Sequence, residues 1–187
     1  AMDDLLMTLV KLTGKEVPEE LEEERGQLLD LMLDSSQYFN GKKVAIAGDP
    51  DVIIALTQFT IALGMIPKYV ITGTPGKAFE KQINAMLDAA GIEGSVVKAN
   101  TDLFELHQLI KNEGVDLLIA NTYGKYIARE EDIPFVRFGF PIMDRYGHQY
   151  TPKVGYSGAI KLVESMCNVM LDKVERECAE EDFEVVR

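Results

Sequence analysis

Between Gly41 and Gly139 the chain repeats one unit: a run of four or five apolar residues, closed by Gly, Asn or Pro, then a helical stretch. The runs are Val44-Ala-Ile-Ala, Tyr69-Val-Ile-Thr, Ser95-Val-Val-Lys-Ala, Asp116-Leu-Leu-Ile-Ala and Phe135-Val-Arg-Phe. Apolar runs that are continuous rather than alternating belong to strands buried on both faces, which is the condition of a parallel sheet. Spacers of roughly 10 to 15 residues (Pro50–Leu63, Gly76–Ala90, Asp102–Asn112, and a shorter turn at Tyr123–Ala128) provide right-handed helical crossovers. The expected class is α/β, an open Rossmann-like parallel sheet of about five strands with flanking helices.

The flanks follow other rules. Acids at Asp3 and Asp4, leucines at 5, 6, 9 and 12 and the stop at Gly14 predict a short amphipathic helix. Pro18, tolerated in a first turn, opens a second helix that is expected to run to about Phe39. Residues 1–40 thus form an N-terminal helical extension and 41–140 the Rossmann-like domain. In residues 141–187, an irregular loop (Phe140–Gly158, rich in Gly and Pro) precedes a long helix from about Ala159 to Glu180 and a docking tail at Phe183–Arg187. The loop is long enough to suspect function or an interface. On the long helix Val163, Cys167, Met170, Val174 and Cys178 form an apolar stripe, so both cysteines read as core; 11 residues apart, they lie about 16 Å from each other along the axis, beyond disulfide reach.

Charge narrows the partners. With 19 Lys+Arg against 31 Asp+Glu, the net of −12 argues against nucleic acid and against an anionic membrane surface. No apolar stretch is long enough to span a bilayer, and the acidic start is unlike a signal peptide. A cytoplasmic location is expected. Two cysteines exclude both a disulfide framework and a self-contained four-cysteine zinc or iron–sulfur site.

In this fold a ligand sits beyond the C-terminal ends of the strands. None of those ends matches Gly-x-Gly-x-x-Gly, no acid closes the second strand, and Gly73–Lys77 lacks the spacing and the hydroxyl residue of a phosphate loop. The third strand ends Lys98-Ala-Asn100, which excludes a phosphorylated receiver. What remains is a possible small-anion site from Asp49, Asn121, Tyr123, Lys125 and Arg137, the last two being the positive charges best placed for it. His107, mid-helix, reads as a surface or satisfied histidine; His148, beside Asp144, Arg145 and Tyr146, is better placed for function but has no visible third group. Asp30 and Asp34, four apart on one helix, project from one side, away from Leu21, Leu28 and Met32. They are either a solvated polar face or half of an oxygen-ligand cation site completed by another subunit.

Several segments in order, ERGQLLDLMLDS (24–35), GKKVAIAGDPD (41–51), ANTYGKYI (120–127), VRFGFPIMDRYG (136–147) and VGYSGAIKLVE (154–164), resemble the C-terminal third of beta chains of the nitrogenase component 1 family, over essentially the whole chain after Ala1, itself read as an added residue. IMDRYGHQY and the Glu-rich ending look more like the vanadium or iron-only type than the molybdenum type. The resemblance implies a structural and assembly domain of an oxidoreductase that reduces dinitrogen with electrons from an iron protein. Its partners would be an alpha chain and a second beta chain in a heterotetramer. The family's eight-iron P cluster and its catalytic cofactor are held by motifs missing here, so Cys167 and Cys178 do not match cluster ligands, and the domain alone is expected to be inactive and colourless. The resemblance also carries an Asp-x-x-x-Asp pair onto Asp30 and Asp34 as ligands to a divalent cation between two beta chains. The alternatives are a stand-alone anion-binding module, a cofactor-assembly scaffold, or a protochlorophyllide reductase-like subunit.

Overall fold

The computed structural model describes residues 2–180; the expected docking tail at Phe183–Arg187 lies outside them. Its centre is a five-stranded, wholly parallel sheet in the order β3-β2-β1-β4-β5. The strands are β1 (Lys43–Ala47), β2 (Ile66–Ile71), β3 (Val96–Lys98), β4 (Leu117–Ala120) and β5 (Phe135–Arg137). The helices are α1 (Met2–Thr13), α2 (Glu19–Asp34), α3 (Ser36–Phe39), α4 (Pro50–Ala62), α5 (Lys77–Ala89), α6 (Leu103–Asn112), α7 (Lys125–Glu130) and α8 (Gly155–Glu177).

The continuous apolar runs do what a two-sided sheet requires. Val44 and Ile46 of β1 and Leu117 and Ile119 of β4 point into one layer with Phe39, Ile53, Phe79, Ile83, Val163 and Met166. Their neighbours Ala45, Ala47, Leu118 and Ala120 point the other way, against Leu106, Ile110 and Ile127. A strand exposes alternate side chains to opposite faces, so no residue of the run can be polar. Leu28 of α2, Phe39 of α3 and Met170 of α8 share the first of these cores with the strands, so the helices before and after the sheet cover its broader apolar face.

Three elements depart from the sequence reading, the first being α8, which opens at Gly155 rather than at about Ala159. The expected helix to Phe39 stops at Asp34: the buried Ser35 hydroxyl donates to the Leu31 carbonyl at 2.6 Å, and one further turn swings Phe39 into the core. Strand β2 starts at Ile66, not Tyr69, although it includes Pro67. The register shifts opposite Val44/Ala45, and β3 pairs with β2 only from Tyr69 onward, so the missing Pro67 N–H costs no ladder bond to β3.

At the N-terminal edge of the sheet, Glu113 accepts from Lys43 (2.8 Å) and lies 2.9 Å from Lys68, and Asp116 accepts from the Lys43 N–H at 2.7 Å. The two ammonium groups hold the Glu113 carboxyl well below its ordinary value, at about 2. These ion pairs gather at the N-terminal end of the sheet, where the Lys43 and Glu113 side chains remain substantially exposed.

Candidate functional site

The strand order reverses between β1 and β4, and there a cleft of about 330 Å³ opens at the C-terminal ends. Its lining includes Asp49, Thr74, Thr101, Asp102, Asn121 and Phe140. Each polar residue arrives for a local reason. Asp49 precedes Pro50 in the first turn of α4; Asp102 caps α6, accepting from the Glu105 N–H at 2.9 Å; and Asn121 accepts from the Tyr123 N–H at 3.1 Å. The cleft brings two carboxylates together.

Of the five residues expected to bind an anion, Asp49 and Asn121 line this cleft, whereas Tyr123, Lys125 and Arg137 do not. The two cations meet Asp144 instead. Arg137 grips it in a fork, with Nε 3.0 Å from both carboxylate oxygens and a terminal nitrogen at 2.9 Å, while Lys125 lies at 4.0 Å. Thr122 donates to the same carboxylate at 3.0 Å and accepts from the Met143 N–H at 2.8 Å. Asp144 thus fastens the loop after β5 to the ends of β4 and β5, a role the sequence did not reveal because its partners lie 7 and 22 residues away. The Arg137 guanidinium, with Thr122 and Arg145, holds the Asp144 carboxyl down at about 2.

A depressed carboxyl favours the fold only while it stays ionised. The contributions of Asp144 and Glu113 are present above their unfolded values, about 4, and are lost as pH falls through about 2. Chemical denaturation should show stability falling steeply from about pH 4 to pH 2. Asp144→Asn, already without the charge, should show a shallower fall over that window.

Asp30 and Asp34 are both exposed on α2, and neither makes a hydrogen bond or ion pair with a described residue. Exposed leucines stand beside them, Leu33 at 72% and Leu29 at 42%. Two unengaged carboxylates one turn apart have the right chemistry for part of a hard-cation site, but a divalent ion takes six or more oxygens, and the rest must come from elsewhere.

Cys167 is half-buried against the core, and burial raises its thiol. Cys178 is not the core residue expected: α8 ends at Glu177, Val174 is exposed, and the Cys178 thiol donates to the Glu175 carbonyl at 3.1 Å. Two thiols so far apart do not form a cluster ligand set, and the residues present do not fit the family's P cluster.

His107 is the satisfied histidine expected, with Nε2 2.6 Å from Glu131. The group it forms with Glu130 and Glu131 has ligand atoms within 4.8 Å of one another, but the Lys111 ammonium sits 2.7 Å from Glu130 and already supplies the positive charge. His148 makes one long contact, Nδ1 to the Arg145 carbonyl at 3.4 Å. Large apolar side chains stand uncovered along the same loop: Phe140 is 80% exposed, Tyr150 86% and Val154 85%. Among the described residues, no helix is long and apolar enough to cross a membrane.

Residues 1–171 match the family model described as nitrogenase component 1 type oxidoreductase. The nitrogenase molybdenum-iron protein beta chain of Clostridium pasteurianum is 71% identical over all of this chain and 41% of its own length. That of Frankia alni is 41% identical over 99% of this chain and 35% of its own. A solved structure described as "Nitrogenase Cp1 at pH 6.5" superposes with a TM-score of 0.98 at 71% identity, covering this whole chain and 41% of the other. The chain spans between about a third and two fifths of these relatives' own lengths, and both curated relatives are of the molybdenum–iron type, against the leaning drawn from IMDRYGHQY. With the fold, the motif order and these matches in agreement, the chain belongs to the nitrogenase component 1 type oxidoreductase family.

Proposed function

We propose that this chain is the C-terminal structural and assembly domain of a nitrogenase beta subunit of the molybdenum–iron type, working in the cytoplasm within a heterotetramer of two alpha and two beta chains. Dinitrogen reduction, the electron-donating iron protein and the metal clusters belong to that assembly; no reaction step is carried by residues of this chain. The observation that carries the reading is similarity to part of a beta chain over the whole length of this chain, combined with uncovered apolar side chains on α2 and on the loop after β5. Contiguous exposed apolar surface is characteristic of chains that bury it against a partner.

The rival reading, a stand-alone module holding a small anion at the strand ends, needs Lys125 and Arg137 free. Both rest on Asp144, and the cleft itself carries Asp49 and Asp102. Sedimentation velocity separates the two readings. An assembly domain should self-associate as concentration rises, and Leu33→Glu with Phe140→Ser should return it to a monomer; a monodisperse parent chain would favour the independent module.

Asp30 and Asp34 would act as half of a cation site between two beta chains, lending charge and oxygen ligands to hold the subunits together. In the assembled heterotetramer, Asp30→Asn with Asp34→Asn should abolish one class of calorimetric manganese binding per beta–beta interface. Unchanged binding would leave them a solvated face.

A further inference from the structure

A second cleft, of about 440 Å³, lies between β5, the loop after it and the first half of α8. The side chains of Arg137, Arg145, Lys153 and Lys161 line it together with the His148 imidazole, and no carboxylate side chain does. In a chain with a net charge of −12, that concentration of cations on one concave surface is unusual. The nearby carboxylates only partly offset it: Asp144 pairs with Arg137 and lies 3.7 Å from Arg145, and Glu164 pairs with Lys161 at 2.6 Å. Four permanent cations against two carboxylates leave an excess of two positive charges.

Lys153 is the least compensated of the four. Its ammonium donates to the Thr151 hydroxyl at 2.8 Å and has no carboxylate partner among the described residues. Partial loss of hydration, followed by the neighbouring charge of Lys161, pushes its ammonium below the ordinary lysine value. An ammonium without a carboxylate of its own, facing the charge of Lys161, disfavours the bare cleft and favours one that holds an anion. Phe135, Ile142 and Val169 supply apolar wall, which an inorganic ion would leave unused.

We propose that this cleft binds a small organic dianion, its carboxylate or phosphate oxygens held by Lys153, Lys161 and the unpaired edge of Arg145 and its carbon body lying against Phe135, Ile142 and Val169. Bidentate pairing to Asp144 leaves Arg137 to shape the site rather than to supply its main contact. The inference does not rest on the assembly role, and its test is separate from the tests of that role.

Calorimetric titration of the 187-residue chain with phenyl phosphate and with phthalate, at an ionic strength fixed with sodium chloride, tests it. At least one probe should bind saturably at one site per chain, and which one binds more tightly distinguishes phosphate from dicarboxylate chemistry. Lys153→Met and Lys161→Met should each weaken binding about tenfold, the order expected for losing one charge-assisted contact. Lys77→Met, on the first turn of α5, should leave it unchanged. Backbone amide shifts in the unsubstituted chain provide a second readout that needs no variant, with the largest changes expected at Arg145, Lys153 and Lys161. Absence of saturable heat with both probes overturns the proposal, as does binding that survives both lysine substitutions, amide shifts confined to other residues, or binding of an octaglutamate peptide alone.

Discussion

Gly158→Ala is expected to destabilise the chain by about 3 kcal/mol and to lower Tm by roughly 10 °C. Gly158 lies in the first turn of α8, and an added Cβ would sit 2.5 Å from the Lys153 carbonyl carbon and 3.0 Å from its oxygen. Those are main-chain atoms, so no side-chain rotation relieves the overlap, and the Lys153–Gly155 turn must move. Moving it shifts a helix that buries Tyr156, Leu162, Val163 and Met166. Thermal unfolding followed by circular dichroism measures the effect, and a drop under about 2 °C would mean the turn yields without disturbing α8.

Phe39→Ala should cost about 3–5 kcal/mol, with Tm again lower by roughly 10 °C. Phe39 is fully buried, and it sits on the single turn of α3 that joins α2 to the sheet. Truncating it leaves a void at the junction between the preceding helices and the core shared by Val44, Ile46 and Val163. Leu33→Ala, by contrast, removes a side chain that is 72% exposed and should change the stability of the monomer by less than about 0.5 kcal/mol. Denaturant titration of the two variants side by side measures both. Equal effects would contradict the division between apolar residues that hold the fold and apolar residues kept for a partner.

The sheet was legible because its signal is local. Runs such as Leu117–Ala120 must be apolar at every position, and the turn residues that close them fall at helix spacing. What escaped the sequence reading depends on contacts between distant residues. Gly155 and Gly158 look like loop residues, yet they open α8, where the missing Gly158 side chain leaves room for the close approach of the Lys153 backbone. Ser35 looks like helix interior until its buried hydroxyl is seen to bond back to Leu31. Lys125 and Arg137 look available for an anion because nothing local reveals that Asp144 reaches both. Likewise the basic cleft draws on β5, the loop and α8, so no single window of sequence displays it. The pair Asp30 and Asp34 was visible from spacing, and the open surface beside it, Leu29 and Leu33, is what gives a subunit-boundary reading physical content.

The most direct test of the assembly role is a chimera in which this chain replaces the corresponding segment of the Clostridium pasteurianum beta chain, expressed with that organism's alpha chain. Purification should yield a heterotetramer that reduces dinitrogen to ammonia at a rate within about twofold of the parent, because the proposed role gives the substituted domain interfaces and no reacting group. A chimera whose domain folds but whose beta chain no longer joins the alpha chain would contradict the assembly role. So would one that assembles fully and loses reduction, since chemistry would then depend on residues of this domain.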